Sequence, residues 1–339
     1  MPKVTSDNPA IRRIAIIGSG VAGLSAAIFL QQQGHQVQVF DKSRGPGGRL
    51  SAKRVGNGGS VDIGAQYFTI RNASFRTFLE QWAGEQSFAH WPGRFGFQHP
   101  EAGWQPFPDE QRYVGTPRMT AISRALSGHV ALKPQVRIKR LIRNGDQWRL
   151  VCMEGHEHGE YDQVIITAPP AQAEELLTNS GLAPLADRVA DTAGQMLPCW
   201  AVAARLVGRV PLDYEGMRPN SDTLYWVANN ASKPGREQGG QWWVLHATPE
   251  WTNRHLETDT DLVTQRLVGA FRDLTGYQDE VSDTLCHRWL YARSTDGACP
   301  GYLLDEELGL GLAGDWLAGG RVEGAWESAE RLVSALSHN

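Results

Sequence analysis

The chain has 339 residues, 41% of them hydrophobic, and a formal net charge of −4. That length and apolar content allow one large or two ordinary domains with a substantial core, and they argue against disorder. The charge leaves no overall basicity for nucleic acid, and Cys152, Cys199, Cys286 and Cys299 form no CxxC pair, so they read as reduced thiols of a cytoplasmic protein.

Residues 1–10 read as a flexible tail. After Arg12 and Arg13 comes an apolar run from Ile14 to Leu30. It lacks a small-residue cleavage site and is too short and interrupted to span a bilayer, so neither a signal peptide nor a membrane is expected. The run encloses Gly18-x-Gly20-x-x-Gly23 between a four-residue apolar strand and an Ala/Leu-rich helix. Gly34 follows the helix as a left-handed cap. The next strand, 36–40, ends at Asp41. Gly18 permits a tight turn, Gly20 lets the backbone approach a pyrophosphate, and Gly23 lets helix and strand pack closely. Ser19 and Ala22 belong to the same turn, whose helix N-terminus offers N–H groups and partial positive charge to phosphates. Asp41 stands where a carboxylate accepts hydrogen bonds from an adenosine ribose and would repel a 2′-phosphate, which points to FAD or NAD rather than NADP. A ligand-free packing turn is the other reading of the glycines; strand, helix and acid in register favour the dinucleotide.

An NAD enzyme would continue with another βα unit after Asp41. Here Lys42 opens a glycine-rich loop carrying Arg44 and Arg49, suited to a second pass along a diphosphate. The stretch Val61-Asp-Ile-Gly-Ala-Gln-Tyr-Phe68 reads as a turn feeding an aromatic pair, placed to reach the far end of the cofactor. The combination of the 18–41 fingerprint, Gly47-Gly48-Arg49 and Asp62-x-Gly64-Ala-Gln-Tyr-Phe68 resembles the FAD-dependent amine oxidase superfamily. The Gly-Ala-Gln-Tyr-Phe form is most similar to its bacterial renalase branch. Many members carry Glu where this chain has Asp41, so ribose contact would run through a shorter arm. The resemblance implies noncovalently bound FAD, with Lys42, Arg49, Ala65 and Gln66 among its contacts.

Residues 71–115 are mixed and rich in Trp, Phe and Gly, suiting a small insertion. A helix is expected over 117–127 with Pro117 in its first turn. Strands 136–143 and 147–153 flank Asn144-Gly145, a favoured hairpin turn. A strand over 163–167 leads into Ala168-Pro169-Pro170. This meander resembles the part of two-dinucleotide-fold flavoproteins that closes over the adenine, which implies that Val136 holds adenine with its backbone. His156 and His158 read as a solvated turn or a metal pair, and without a further suitably spaced ligand no metal is expected. A helix over 171–179 leads into a region containing Trp200, Trp226, Trp242, Trp243 and Trp251, a strand over 241–247, and an amphipathic helix over 261–274 ending at Gly276. This region is expected to form an antiparallel sheet with helices covering the flavin ring; its tryptophans read either as ring-sandwiching groups or as ordinary core.

Residues 308–315 form a strand ending in Gly-Asp, a glycine-containing turn follows, and 322–336 has helical apolar spacing. By the resemblance, Asp315 holds the ribityl chain or a nearby phosphate, and the helix beginning at Val322 aims its N-terminus at the flavin N1–C2=O edge. A helix N-terminus stabilises a nearby anion by up to ~2 kcal/mol in a partly buried site, which suits the charge of reduced flavin. The expected fold is therefore α/β: a Rossmann-type FAD-binding domain from residues 11–70, 111–170 and 285–339, with an inserted antiparallel-sheet and helix substrate domain from 71–110 and 171–284.

No nucleophile elbow, HExxH or Walker loop appears, so the chemistry is the cofactor's, a hydride passing from substrate to flavin N5. Amine oxidases of the superfamily often place a lysine near N5. Here Lys133 and Lys139 fall at the adenine-side hairpin, Lys233 in a turn-like stretch, and Lys53 is a further candidate, so no lysine is well placed. The renalase resemblance implies 2- or 6-dihydro isomers of NAD(P)H as substrates, oxidised to NAD(P)+ with O2 reduced to H2O2. Gln66, Tyr67 and His246 are the candidates near the ring. Arg288 and Tyr291 are candidates for the mouth and for substrate phosphates, or lie on a solvated strand face. An oxidase or dehydrogenase of amines or another small substrate, and a flavin protein without net redox turnover, are the alternatives. Oligomeric state is not legible in the sequence.

Overall fold

The structure, a computed structural model, describes residues 11–56, 59–192, 196–236, 240–295 and 298–337; the expected tail at 1–10 lies outside them. Two large sheets organise the chain. The first has six strands in the order Leu303–Asp305, Leu310–Leu312, Gln163–Ile166, Arg13–Ile17, Gln36–Phe40, Ala131–Lys133. All neighbours are parallel except the outermost hairpin, Leu303–Asp305 with Leu310–Leu312. Its central strands are apolar on both faces: Ile14 and Ile16 pack under the helices with Ala26, Ala27 and Leu332, while Ala15, Val164 and Ile166 face the meander core. Double-sided burial is what lets the first strand read as a continuous apolar run. The meander of Ile138–Asn144, Gln147–Cys152 and Glu157–Tyr161 closes that second face. Asn144 pairs with Gln147, so the hairpin loop is Gly145-Asp146 rather than Asn144-Gly145.

Two helices lie side by side on the other face. Val21–Gln32 ends at Gln33, with Gly34 at φ +88°, and Val322–Ser337 packs against it. Phe29, Phe75 and Phe78 meet Trp326 at ring distances of 5.5–6.2 Å. Burial alone contributes about 1.5–3 kcal/mol for each of the fully buried rings, Phe75 and Phe78.

The second sheet has seven strands in the order Val281–Ser294, Met196–Leu206, Trp242–Ala247, Leu224–Asn229, Gly216–Arg218, Phe95–His99, Gly103–Pro106. It is antiparallel except where Phe95–His99 joins Gly216–Arg218. Helices Pro249–Arg254 and Thr260–Thr275 cover one face, burying Trp200, Val202, Trp243, Leu245, Trp251 and Phe271. Gly276 at φ +73° caps the longer helix. The opposite face carries Ala201, Ala203, Trp242 and Val244 against Val61 and Ile63 of the nucleotide-binding half. The strand Val281–Ser294 pairs with Met196–Leu206 along its length. This moves the junction placed at residue 285 to the far side of that strand, because the ladder, not the sequence interval, assigns it to the second sheet. The helix expected over 117–127 begins later, at Thr120.

Candidate flavin site at the meeting of the two sheets

The glycine fingerprint sits at the C-terminal edge of the parallel sheet. A side chain at Gly18 would strike Thr167 Oγ1 at 2.5 Å, and one at Gly23 would strike the Gly18 carbonyl at 2.0 Å. Both glycines are therefore required by close packing. At Gly20 and Gly45 an added Cβ meets nothing within 4 Å, and at Gly48 only the Gly20 Cα at 3.9 Å. The Gly47 N–H donates to the Ser19 carbonyl at 3.2 Å. The two glycine-rich segments thus touch through their backbones at the N-terminus of a twelve-residue helix, with open space over Gly20 and Gly45. Open glycine backbone at a helix N-terminus suits a diphosphate. Ala22, in the first turn of the helix, is buried.

Asp41 accepts from the Ser19 N–H at 2.7 Å, the Ser19 hydroxyl at 2.6 Å and the Ser43 N–H at 2.7 Å. Its carbonyl accepts from the Val136 N–H at 2.8 Å. Lys42 turns away to donate to Gln172 at 2.9 Å. Burial lowers the Lys42 ammonium, and Arg137 adds to the effect. Arg49 reaches Asp315 with both guanidinium nitrogens. Val322 opens the C-terminal helix, whose Glu323 is buried and accepts from the Arg71 and Asn72 N–H groups at 2.9 and 2.6 Å.

The 62–67 loop connects the glycine-rich segments to the second sheet. The Ala65 N–H donates to the Arg49 carbonyl at 2.9 Å. A Cβ at Gly64 would meet that same carbonyl at 2.1 Å, which explains glycine there. The Ile63 carbonyl accepts from His246 Nε2 at 3.2 Å and from Trp289 Nε1 at 3.1 Å. A carbonyl only accepts, so His246 carries its proton on Nε2. Burial brings the His246 pKa down to about 4, and Lys233 adds to the effect against the bond to Ile63. His246 is a neutral support of the loop.

Asp62 is the loop's anchor and is fully buried. It accepts from the Met119 N–H at 2.9 Å, from Lys233 Nζ at 3.2 Å and from Arg236 at 2.5 Å. Burial works to raise its carboxyl, but Lys233, Arg236 and the Met119 N–H outweigh that and hold it below the ordinary carboxylate range. Lys233 also donates to Gln66 Oε1 at 3.0 Å, while Gln66 Nε2 donates to the Gly64 carbonyl at 2.9 Å and to the Asp62 carbonyl. Burial, with help from Arg236, lowers Lys233 to about 8 despite its carboxylate partner.

Sequence reasoning missed this cluster. Lys233 does follow a short turn, the 3₁₀ segment Asn230–Ser232. Its side chain, however, runs inward beneath the ring of Trp91, 5.2 Å away, to the loop. Its partner lies 171 residues away. The one local signal was the Asn-Asn-Ala-Ser-Lys sequence, in which Asn229 caps the turn and Asn230 accepts from the Asp62 N–H at 3.1 Å.

Gln66 and His246 converge on the loop backbone, while Tyr67 turns into an aromatic wall. Its ring lies 5.4 Å from that of Trp226 and 5.4 Å from the Arg112 guanidinium. Of the five central tryptophans, Trp226 and Trp242 face the nucleotide-binding half, whereas Trp200, Trp243 and Trp251 fill the core under the helices. Arg288 does not line the mouth. It lies over Trp200 and donates to the Leu256 carbonyl and Glu257 on the helix-covered face. Strand alternation puts Trp289 on the opposite, site-facing side, and Arg293, past a register shift in the ladder, reaches that side at Tyr225. His158 lies on the strand Glu157–Tyr161, its ring 5.2 Å from that of Phe40.

Two family matches divide the chain: an NAD(P)-binding Rossmann-like domain over residues 16–82, and flavin containing amine oxidoreductase over residues 109–336. A zeta-carotene-forming phytoene desaturase of Myxococcus xanthus is 51% identical over 67 residues, 20% of this chain and 13% of the desaturase. The chain's match thus spans about an eighth of that curated relative. A solved structure from Exiguobacterium sp. 255-15, provisionally described as a protoporphyrinogen oxidase, superposes with a TM-score of 0.75 at 13% identity, covering 97% of this chain and 99% of the other. Putrescine oxidase bound to putrescine gives 0.74 at 11% identity, covering 97% and 100%. At such identities the two structures establish the shared fold. With the second match running through two thirds of the sequence and both sheets, the chain belongs to the flavin containing amine oxidoreductase family.

Proposed function

We propose that the protein binds FAD noncovalently and oxidises 2- or 6-dihydro isomers of NAD(P)H, in the manner of the renalase branch. The overall reaction consumes O2 and one proton and yields NAD(P)+ and H2O2. The residues fit FAD. The open glycine backbone of Gly18–Gly23 and Gly45–Gly48 would take the diphosphate, Asp41 the ribose, the Val136 backbone the adenine, and the Arg49–Asp315 pair the ribityl side. Bound FAD would supply the hydride acceptor and hand the electrons on to O2. Acid precipitation should release the flavin from the protein; flavin that stays with the pellet would contradict noncovalent binding.

One observation carries the substrate reading. Five neighbouring strands of the second sheet, Phe95–His99, Gly103–Pro106, Gly216–Arg218, Leu224–Asn229 and Trp242–Ala247, contain no Asp, Glu or Lys. Their inward groups are mostly aromatic, and Arg218 is their only Lys or Arg. Such a wall stacks a flat ring and offers no carboxylate to an alkylammonium. Among the described residues, the one buried lysine nearby is already bonded to Asp62 and Gln66. A dihydropyridine gives up hydride without a strong base, so the chain's task is placement. Tyr67 and Trp226 fix the plane of the substrate ring. Gln66 and His246, through the loop backbone they hold, fix the surface it lies against. Hydride transfer needs reacting atoms roughly 3–3.5 Å apart, so moving the donor carbon around the ring turns a reactive pose into an inert one.

Anaerobic stopped-flow mixing with purified 2-, 4- and 6-dihydro isomers tests this. Fast flavin bleaching by the 2- or 6-dihydro forms and slow bleaching by ordinary NADH is the expected result. Equal rates for all three, or faster bleaching by a simple amine, would sink it.

A further inference from the structure

On the site-facing side, Arg293 and Tyr225 come from strands separated by two others, Met196–Leu206 and Trp242–Ala247. Their backbones are therefore roughly 14 Å apart at ordinary strand spacing. The side chains close that gap. The Arg293 guanidinium lies 4.2 Å from the Tyr225 ring centroid and donates to its hydroxyl at 2.7 Å. Arg218, on the strand next to Tyr225, lies 5.4 Å from the same ring. Arg293 is half-buried and Arg218 exposed. Among the described residues neither has a carboxylate partner.

Further along the same aromatic wall, Arg112 is buried among Tyr67, Phe95 and Phe107, its guanidinium 4.4–5.4 Å from their ring centroids. Its Nη1 donates to the Glu110 carbonyl at 3.0 Å, and among the described residues its Nε has no hydrogen-bond partner. Arg218 is the ladder partner of Phe97, whose ring lies 5.4 Å from Phe107, so the three arginines share one continuous wall. Like charges gathered on one surface repel, and a buried cation costs free energy unless an anion or a π-face compensates it. Rings compensate these arginines in part. The fork of a guanidinium matches phosphate oxygens two at a time, so a bound dianion would complete the compensation.

We propose that Arg218 and Arg293, flanking Tyr225, form an anion subsite for the diphosphate of a dinucleotide substrate, with Arg112 adding positive potential deeper in. The proposal rests on the dihydronicotinamide reading for the identity of the substrate, and on the arginine geometry for its anionic part. The subsite also disfavours cationic amines by repulsion.

The test uses the FAD-loaded enzyme, so that the cofactor site is filled. Calorimetric titration with ADP-ribose and with inorganic pyrophosphate should show binding that weakens as salt is raised. R218A and R293A should each weaken it roughly tenfold or more, in line with losing a charged hydrogen-bonding partner. R218K and R293K should retain part of it, and R266A, on the outer helix Thr260–Thr275, should match wild type. Circular dichroism and flavin content verify folding of each variant. Stopped-flow reduction adds a second arm. For the dihydro-dinucleotide isomers the alanine variants should need at least tenfold more substrate at an unchanged limiting rate, while dihydronicotinamide riboside, which has no phosphate, should behave alike in all. No binding of either probe to wild type, or alanine variants that bind as well as wild type, would overturn the subsite. Arginine-dependent binding of ADP-ribose without flavin reduction by any dihydropyridine would uphold the subsite and sink the substrate reading.

Discussion

Arg49 and Asp315 stand 266 residues apart in the chain and meet as a two-point ion pair, with Nη1 2.9 Å from one carboxylate oxygen and Nη2 on the other. The pair joins the glycine-rich loop of the first βαβ unit to the turn that precedes the C-terminal helix. Neither segment is held there by a shared sheet. The carboxylate is buried and the guanidinium half-buried. Geometry of this fork–fork kind is stronger than an ordinary surface pair.

Asp315→Ala should weaken FAD retention. It removes the carboxylate and frees the Arg49 fork that the carboxylate orients. Losing a hydrogen bond to a charged group costs about 1.5–3 kcal/mol, roughly tenfold to hundredfold in affinity. Titration of the apoprotein with FAD, followed by flavin fluorescence, measures it. Unchanged affinity in this variant would remove Asp315 from the cofactor site.

What the sequence discloses is what the backbone decides locally. Gly18, Gly23, Gly34 and Gly276 mark turns, close approaches and caps that need no knowledge of the rest of the chain. The helix at 322–337 announces itself by apolar spacing, the one at 21–32 by its Ala/Leu-rich content behind the glycines, and the fingerprint by the order strand, turn, helix, strand, acid. What stays hidden is set by partners far along the chain. Lys233 reads as a loop lysine because nothing within ten residues shows that Asp62 will be brought to it. Arg288 and Trp289 show a different limit. Alternation along a strand separates the two faces, but only the packing of Thr260–Thr275 on one of them decides which face meets the site. The position of residue 285 within a strand was invisible for the same reason: its ladder partner is Ala203.

The buried cluster makes an asymmetric prediction about stability. One carboxylate, Asp62, faces two cations, Lys233 and Arg236. Asp62→Asn leaves both cations without a counter-charge and should cost about 3–5 kcal/mol, the usual loss when a buried charge is orphaned. Lys233→Met leaves a balanced pair, Asp62 with Arg236, and should cost less, about 1–3 kcal/mol for the lost bonds to Asp62 and Gln66. Urea unfolding of FAD-saturated protein compares the two. A greater loss for Lys233→Met than for Asp62→Asn would refute this picture of the cluster.

The same lysine predicts a pH dependence. Burial brings Lys233 to about 8 in the folded protein, below its ordinary 10.5. Between those values the folded chain has released a proton that the unfolded chain still holds. Stability contributed by this group therefore rises with pH across that window, and the cost of keeping it charged is present in full below about pH 8. Measured from pH 7 to 10 at fixed FAD, wild type should gain stability relative to Lys233→Met. No relative gain over that range would mean that attraction to Asp62 offsets or outweighs burial.

His246 gives the last test, because its neighbours assign it a role different from acid–base catalysis. Its Nε2–H is committed to the Ile63 carbonyl, and burial holds its pKa at about 4, below the ordinary 6.5. In the folded protein it is neutral at every pH above about 5, so flavin reduction should show no inflection between pH 6 and 7.5 that disappears when His246 is replaced. Stability should fall as pH drops from 6.5 toward 4, because the unfolded chain takes up the proton first. His246→Gln can place an amide donor near the same carbonyl, whereas His246→Leu leaves it with Trp289 alone. Both variants should keep FAD. His246→Leu should slow flavin reduction by the dihydro isomers more than His246→Gln does, since the 62–67 loop loses one of its two side-chain ties to the second sheet at Ile63. Stopped-flow reduction across pH 5.5–8.5 with both variants distinguishes a supporting histidine from a proton-transferring one: a wild-type inflection lost equally in Gln and Leu would make His246 the acid or base instead.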